Sequence, residues 1–142
     1  MSGMGILQPV VALAAWTMVM WVWMYATRIP AMATAKLDPN DLAKQGTGKL
    51  DTLLPPQVQW KAHNYNHLHE APTVFYATAI VLAITGQGDG YNALLGWIYL
   101  GARVVHSLVQ ATVNRIVVRF AVFAFSSLVL MILIARAAFT VF

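Results

Sequence analysis

The sequence predicts an all-α membrane protein, a four-transmembrane-helix bundle, on three observations. Of the 142 residues, 59% are hydrophobic and 10% charged, against a charged share of about 25% in soluble domains, which is too little polar surface to cover a water-soluble globule. Four apolar stretches, residues 6–25, 57–84, 92–113 and 116–142, are each long enough to cross a hydrocarbon core of about 30 Å. The basic residues gather around the ends of these stretches and form no run or stripe, which reads as a topology signal and excludes a nucleic-acid surface. One domain over residues 1–142 accounts for the whole chain, with the lipid bilayer as its main partner.

The first stretch has no Lys or Arg ahead of it and no small-residue cleavage site behind it, so it reads as the first helix and not as a cleaved signal peptide. Pro9 near its start removes a backbone donor that a helix does not use there. Residues 30–56 hold four of the six prolines, three of the four aspartates and a Gly-Thr-Gly step, and form the one long polar loop, with a short helical turn expected near residues 39–44. The second stretch opens on polar residues from Gln57 and carries Pro72 well inside, where a kink is expected. Gly86-Gln87-Gly88-Asp89-Gly90 is a tight turn, and the break at Asn114-Arg115 is so short that the third and fourth helices must form an antiparallel hairpin. Arg28, Lys36, Lys44, Lys49, Lys61, Arg103, Arg115 and Arg119 lie in or beside the first and third connections, and the other side has Arg136 alone. That asymmetry predicts cytoplasmic first and third loops and non-cytoplasmic termini.

The candidate chemistry lies on the second and third helices. Glu70 is the only glutamate, and a carboxylate inside a membrane helix is expected to face the bundle interior and find a partner. His63, Asn66 and Glu70 stand at intervals of three and four, on one face of a continuous helix. Tyr99, Arg103, His106, Gln110 and Asn114 form a second stripe at the same spacing, so Glu70 can meet Arg103 or His106 across the bundle. Arg28 and Arg119 add a cationic rim, and the whole suits a small anion with several carboxylates. Each element also has a structural explanation: a Glu70–Arg103 pair can fix helix register, and basic residues at span ends anchor to headgroups. The tryptophans read as interfacial residues. There is no cysteine, which removes thiolate catalysis and cysteine metal sites from consideration. His63 and His67 have chelating spacing, but no second carboxylate lies near, and no metal site is expected.

At these residues the sequence resembles the MAPEG family, the membrane-associated proteins in eicosanoid and glutathione metabolism, and in particular its bacterial branch. The resemblance rests on Asn66-His-Leu-His-Glu70-Ala-Pro72 and on Ala102-Arg103-Val-Val-His106-Ser107 followed by Asn114-Arg115 and Arg119. It implies a homotrimer in a bacterial inner membrane, with glutathione as cosubstrate bound between subunits at the cytoplasmic side. It further implies that Asn66, Glu70, Arg103, His106 and Asn114 hold the tripeptide, and that Arg28 and Arg119 act on its thiol. The positive field of the arginines would lower the thiol pKa for attack on a lipophilic electrophile, as a transferase or peroxidase. The chain departs from the family's enzymes at Gln110, where they carry Tyr, and at Phe120, where the prostaglandin synthase branch has Ser. A second function on the same scaffold is therefore a non-catalytic accessory or structural subunit of a larger membrane complex.

Overall fold

The computed structural model describes residues 3–38, 40 and 53–142, and among them every regular element is helical. Five helices are described, in the order α1 (Leu7–Thr34), α2 (Pro56–His67), α3 (Ala71–Ile84), α4 (Tyr91–Thr112) and α5 (Ile116–Val141). The helical turn expected near residues 39–44 and the loop basic residues Lys44 and Lys49 fall outside the described residues.

The first apolar stretch becomes α1, which runs on through Pro30 to Thr34, past the point where the sequence reading began the loop. It closes with Lys36 in the left-handed region, at φ 55°, and Leu37 N–H donating to the Met32 carbonyl at 3.0 Å. That bond spans five residues and satisfies a carbonyl the helix end leaves free.

The second stretch differs from its expectation in a way that matters for the site. It is two helices rather than one kinked helix. Helix α2 ends at His67, Leu68 to Glu70 form a turn, and α3 restarts at Ala71 with Pro72 in its first turn. Glu70, at φ −94° and ψ −100°, is the non-helical residue between them. A proline inside a helix clashes with the carbonyl four residues earlier, here that of Leu68, so the disruption falls upstream of Pro72. The proline itself occupies a first-turn position where its missing N–H costs nothing.

Helix α4 packs against α1, α2 and α5, while α3 bridges α1 and α5. The apolar core holds Leu13 and Met20 of α1, Phe75 and Leu82 of α3, Tyr99 of α4 and Leu133 of α5. Gly96 sets how closely α1 and α4 approach: a Cβ there would lie 3.0 Å from Pro9 Cγ and 3.1 Å from Ile6 Cγ1. The outward faces of α1 and α5 are apolar, with Val11, Val22, Ile29, Val117, Phe120 and Leu128 all exposed. These two helices are each long and apolar enough to cross a membrane. Helix α4 is interrupted in that respect by its buried polar stripe, and the second stretch by the break before Ala71.

Candidate functional site

The two ends of the bundle are built differently. At one end the residues before α1 fold onto the turn between α3 and α4. The amides of Gly3 and Gly5 both donate to the Asp89 carboxylate, that of Gly5 at 2.7 Å, and Ile6 N–H donates to the Gly88 carbonyl at 2.8 Å. The two amides, that of Gly3 first, hold the Asp89 carboxyl below the usual carboxylate range. Beside them Asn92 accepts from Arg136 Nε through its oxygen and donates from its nitrogen to the Gln87 carbonyl at 2.6 Å.

The opposite end carries the residues singled out in the sequence. Arg28 of α1 donates from Nη2 to Gln59 Oε1 of α2 at 3.3 Å. Lys61 of α2 lies 5.2 Å over the Trp23 ring and donates to the Ala111 carbonyl of α4 at 3.2 Å, tying three helices together. Asn114 is in the turn after α4 with φ 48°, a conformation asparagine tolerates better than most residues. Its side-chain oxygen accepts from Arg119 Nη1 at 2.5 Å, which fixes the start of α5.

Between these ends the α4 stripe turns inward. Tyr99, Arg103, His106, Ser107 and Gln110 are all buried, Arg103 with none of its surface exposed. Tyr99 stacks on Phe75 of α3 with ring centroids 4.4 Å apart. Among the described residues, no hydrogen-bond partner meets any of the three Arg103 guanidinium nitrogens, the Tyr99 hydroxyl, His106 Nδ1, the Ser107 hydroxyl or Gln110 Oε1. Asn64 of α2 joins this group, fully buried and with both amide atoms unpartnered.

The expected pairing of Glu70 with Arg103 or His106 is replaced by a local one. The break after α2 lets Glu70 turn back onto His67, with Nδ1 and Oε2 2.8 Å apart, and leaves most of the carboxylate side chain exposed. The same break takes Glu70 off the stripe shared with His63 and Asn66, and both of those are exposed on α2. His67 instead reaches His106, ring centroids 4.9 Å apart, and Phe123 of α5 at 5.7 Å. These three side chains, with Ile116, Arg119 and Phe120, line a cleft of about 220 Å³.

The MAPEG family model matches residues 6–139, nearly the whole chain. The chain belongs to the MAPEG family. No curated protein and no solved structure matches it. Family and apolar helices together make this MAPEG chain an integral membrane protein.

Within the MAPEG chain, the α4 stripe gathers Arg103 and His106 in the interior, and His106 shares the cleft with Arg119. Arg28 is held within α1 by Gln59 and Asn114 in the turn after α4, while Asn66 and Glu70 are exposed. Asn64 has no place in the expected stripes, and Ser107 and His67 have none in the expected polar cluster. Ser107 lies one turn from Arg103, a spacing that was there to be used. A continuous helix through Glu70 favours the face of His63 and Asn66 over that of Asn64, and it pairs His67 with His63 and not with His106. No signal in the spacing alone marks the break.

A fully buried guanidinium without a partner carries a desolvation penalty of several kcal/mol. Five donors in a fixed fork match a carboxylate bidentately. The bundle interior therefore holds an open guanidinium on α4 together with unpartnered polar side-chain atoms on Asn64, Ser107 and Gln110.

Proposed function

We propose that this MAPEG chain crosses the bilayer four times, assembles as a homotrimer, and binds glutathione between subunits at the cytoplasmic side. In this reading both termini are non-cytoplasmic and the residence is a bacterial inner membrane. The observation that carries it is Arg103: a guanidinium with no exposed surface and no partner among the described residues, on a helix whose neighbouring polar atoms are also unpartnered. The donor set fits the tripeptide, which offers two carboxylates, two peptide groups and an ammonium. Arg103 holds a carboxylate, Asn64 and Gln110 satisfy peptide groups, and the exposed Glu70 carboxylate is available to an ammonium arriving from the subunit interface.

Glutathione supplies the thiol nucleophile when bound. Arg119, in the wall of the cleft, and Arg28 of α1 favour the thiolate over the thiol by their charge. Phe120 and Phe123 exclude water from that position and present an apolar surface to an electrophile arriving from the lipid. The His67 and His106 rings border the same space. Transferase or peroxidase activity on lipophilic electrophiles follows from this arrangement.

Calorimetric titration of glutathione into the purified protein tests the proposal. The native protein should bind, and Arg103→Ala should weaken binding at least about a hundredfold, the scale expected when a buried charge-assisted bidentate pair is removed. Equal affinity in the two proteins would sink the reading. Absence of binding in both, with a foreign subunit co-purifying, would favour the accessory-subunit alternative on the same scaffold. The ultraviolet absorbance of the thiolate, followed on adding glutathione at neutral pH, tests the catalytic step separately, and its absence would reject thiol activation.

A further inference from the structure

Arg136 is the one basic residue of α5 beyond Arg119, and it is held in place without being neutralised. Its Nε donates to Asn92 Oδ1, and its guanidinium carbon lies 5.2 Å over the Tyr91 ring. Asn92 is itself buried, and its nitrogen is committed to the Gln87 carbonyl. The orientation of the fork is therefore fixed from below, and no hydrogen-bond partner among the described residues meets its two terminal nitrogens. The carboxylate at this end, Asp89, gives both oxygens to the Gly3 and Gly5 amides, and no ion pair joins it to Arg136. A cation in a helix this apolar is expected to have a counter-charge or a headgroup to reach.

The surroundings define that partner. Arg136 shares a cleft of about 200 Å³ with Gln87, Asn92, Phe139 and Thr140, at the level of the first turn of α4, where the apolar stretch begins. The Thr140 hydroxyl already donates to the Arg136 carbonyl, so the free donors come from the guanidinium and the Gln87 amide. Phe139, in the wall of the cleft, is 88% exposed. The same turns of α5 wall an apolar groove of about 290 Å³ against Ala77, Thr78 and Val81 of α3. We infer that Arg136, oriented by Asn92 and Tyr91, is a binding site for the phosphodiester of an anionic membrane phospholipid, whose acyl chain takes the α3–α5 groove. A planar fork with two adjacent donors matches phosphate oxygens bidentately, and a lipid brings the apolar surface that a soluble phosphate lacks. The site stands apart from the glutathione reading and does not depend on it.

Native mass spectrometry of the detergent-purified protein exchanged with phosphatidylglycerol tests it. The native protein should retain phosphatidylglycerol and should not retain diacylglycerol, which has the same chains without the phosphate. Arg136→Gln should lower lipid occupancy about tenfold, the effect of losing a charge-assisted pair at an interface. Arg136→Lys, which keeps the charge and loses the fork, should fall between, and Arg115→Gln at the opposite end should change nothing. Equal retention of phosphatidylglycerol and diacylglycerol by the native protein overturns the inference without any variant. So does binding of inorganic phosphate that competes with the lipid at equal concentration, since that would make the site one for a soluble anion. Unchanged occupancy in a folded Arg136→Gln protein would do the same.

Discussion

The end of the bundle around Asp89 and Asn92 and the interior around Arg103 treat polar atoms in opposite ways. Around Asp89 both carboxylate oxygens and both ends of the Asn92 amide close on neighbours in the same chain. Around Arg103 seven side-chain atoms on α4 and two on Asn64 stay unpartnered among the described residues although all are buried. Hydrogen bonds that close within the chain hold a shape. Buried donors left open cost folding free energy, and a chain that keeps them is arranged to have them met by something else. The first region is a fastening, and the second holds its polar atoms open.

Three substitutions break or sharpen that contrast. The largest effect on stability is expected at Arg103→Met, which replaces an unpaired buried charge by an apolar side chain of similar length. If the interior is open, this protein should be more resistant to thermal unfolding without ligand than the native one, by about 1–4 kcal/mol. A loss of stability would mean that Arg103 is already paired in the free protein. Gly88→Ala should have a smaller effect of the opposite sign. A Cβ there would lie 1.9 Å from the Gly3 carbonyl oxygen, and the backbone must move, at a cost of about 1–3 kcal/mol. Melting of the purified variant measures it, and a neutral result would show that the contact between the 86–90 turn and the segment before α1 is dispensable.

The smallest effect is a pH dependence at Asp89. Its carboxyl is held below the usual range by the Gly3 and Gly5 amides, so the folded pKa is depressed. The stabilisation is then fully present above the unfolded value, about pH 4, and is lost as pH falls through the folded value. Protection of the Gly3, Gly5 and Ile6 amides, taken as exchange relative to the intrinsic rate at each pH, should fall under acid in the native protein. Asp89→Asn should show lower protection that no longer varies with pH in this window.

The fold was legible wherever one physical rule decided it. The apolar stretches stand out because almost every residue in them favours lipid, and Gly86 to Gly90 and Asn114-Arg115 interrupt them sharply. The α4 stripe was legible because Tyr99, Arg103, His106 and Gln110 keep helical spacing on one unbroken helix. Asn114 has the same spacing, yet it falls in the turn after α4, where it meets Arg119. The second stretch was misread at the break because Pro72 acts on the carbonyl of Leu68 and not at its own position, so the helix stops before the proline is reached. That shift of a few residues moved Glu70 to His67, while α2 upstream of it turns Asn64 and not Asn66 to the interior. The end of α1 was placed too early because Pro30 was read as a stop, whereas the helix continues past it.

The burial of so many polar side chains on α4 also bears on how the protein enters its membrane. A segment with Asn92, Arg103, His106 and Gln110 along one face partitions poorly into lipid alone, and it becomes comfortable only when α1 and α2 cover that face. Its follower, α5, is far more apolar than α4 and begins after a connection of three residues. Synthesis therefore presents the insertion machinery with a reluctant segment immediately followed by a willing one. The two are expected to enter as a single hairpin, so that truncation between them should leave α4 outside the bilayer.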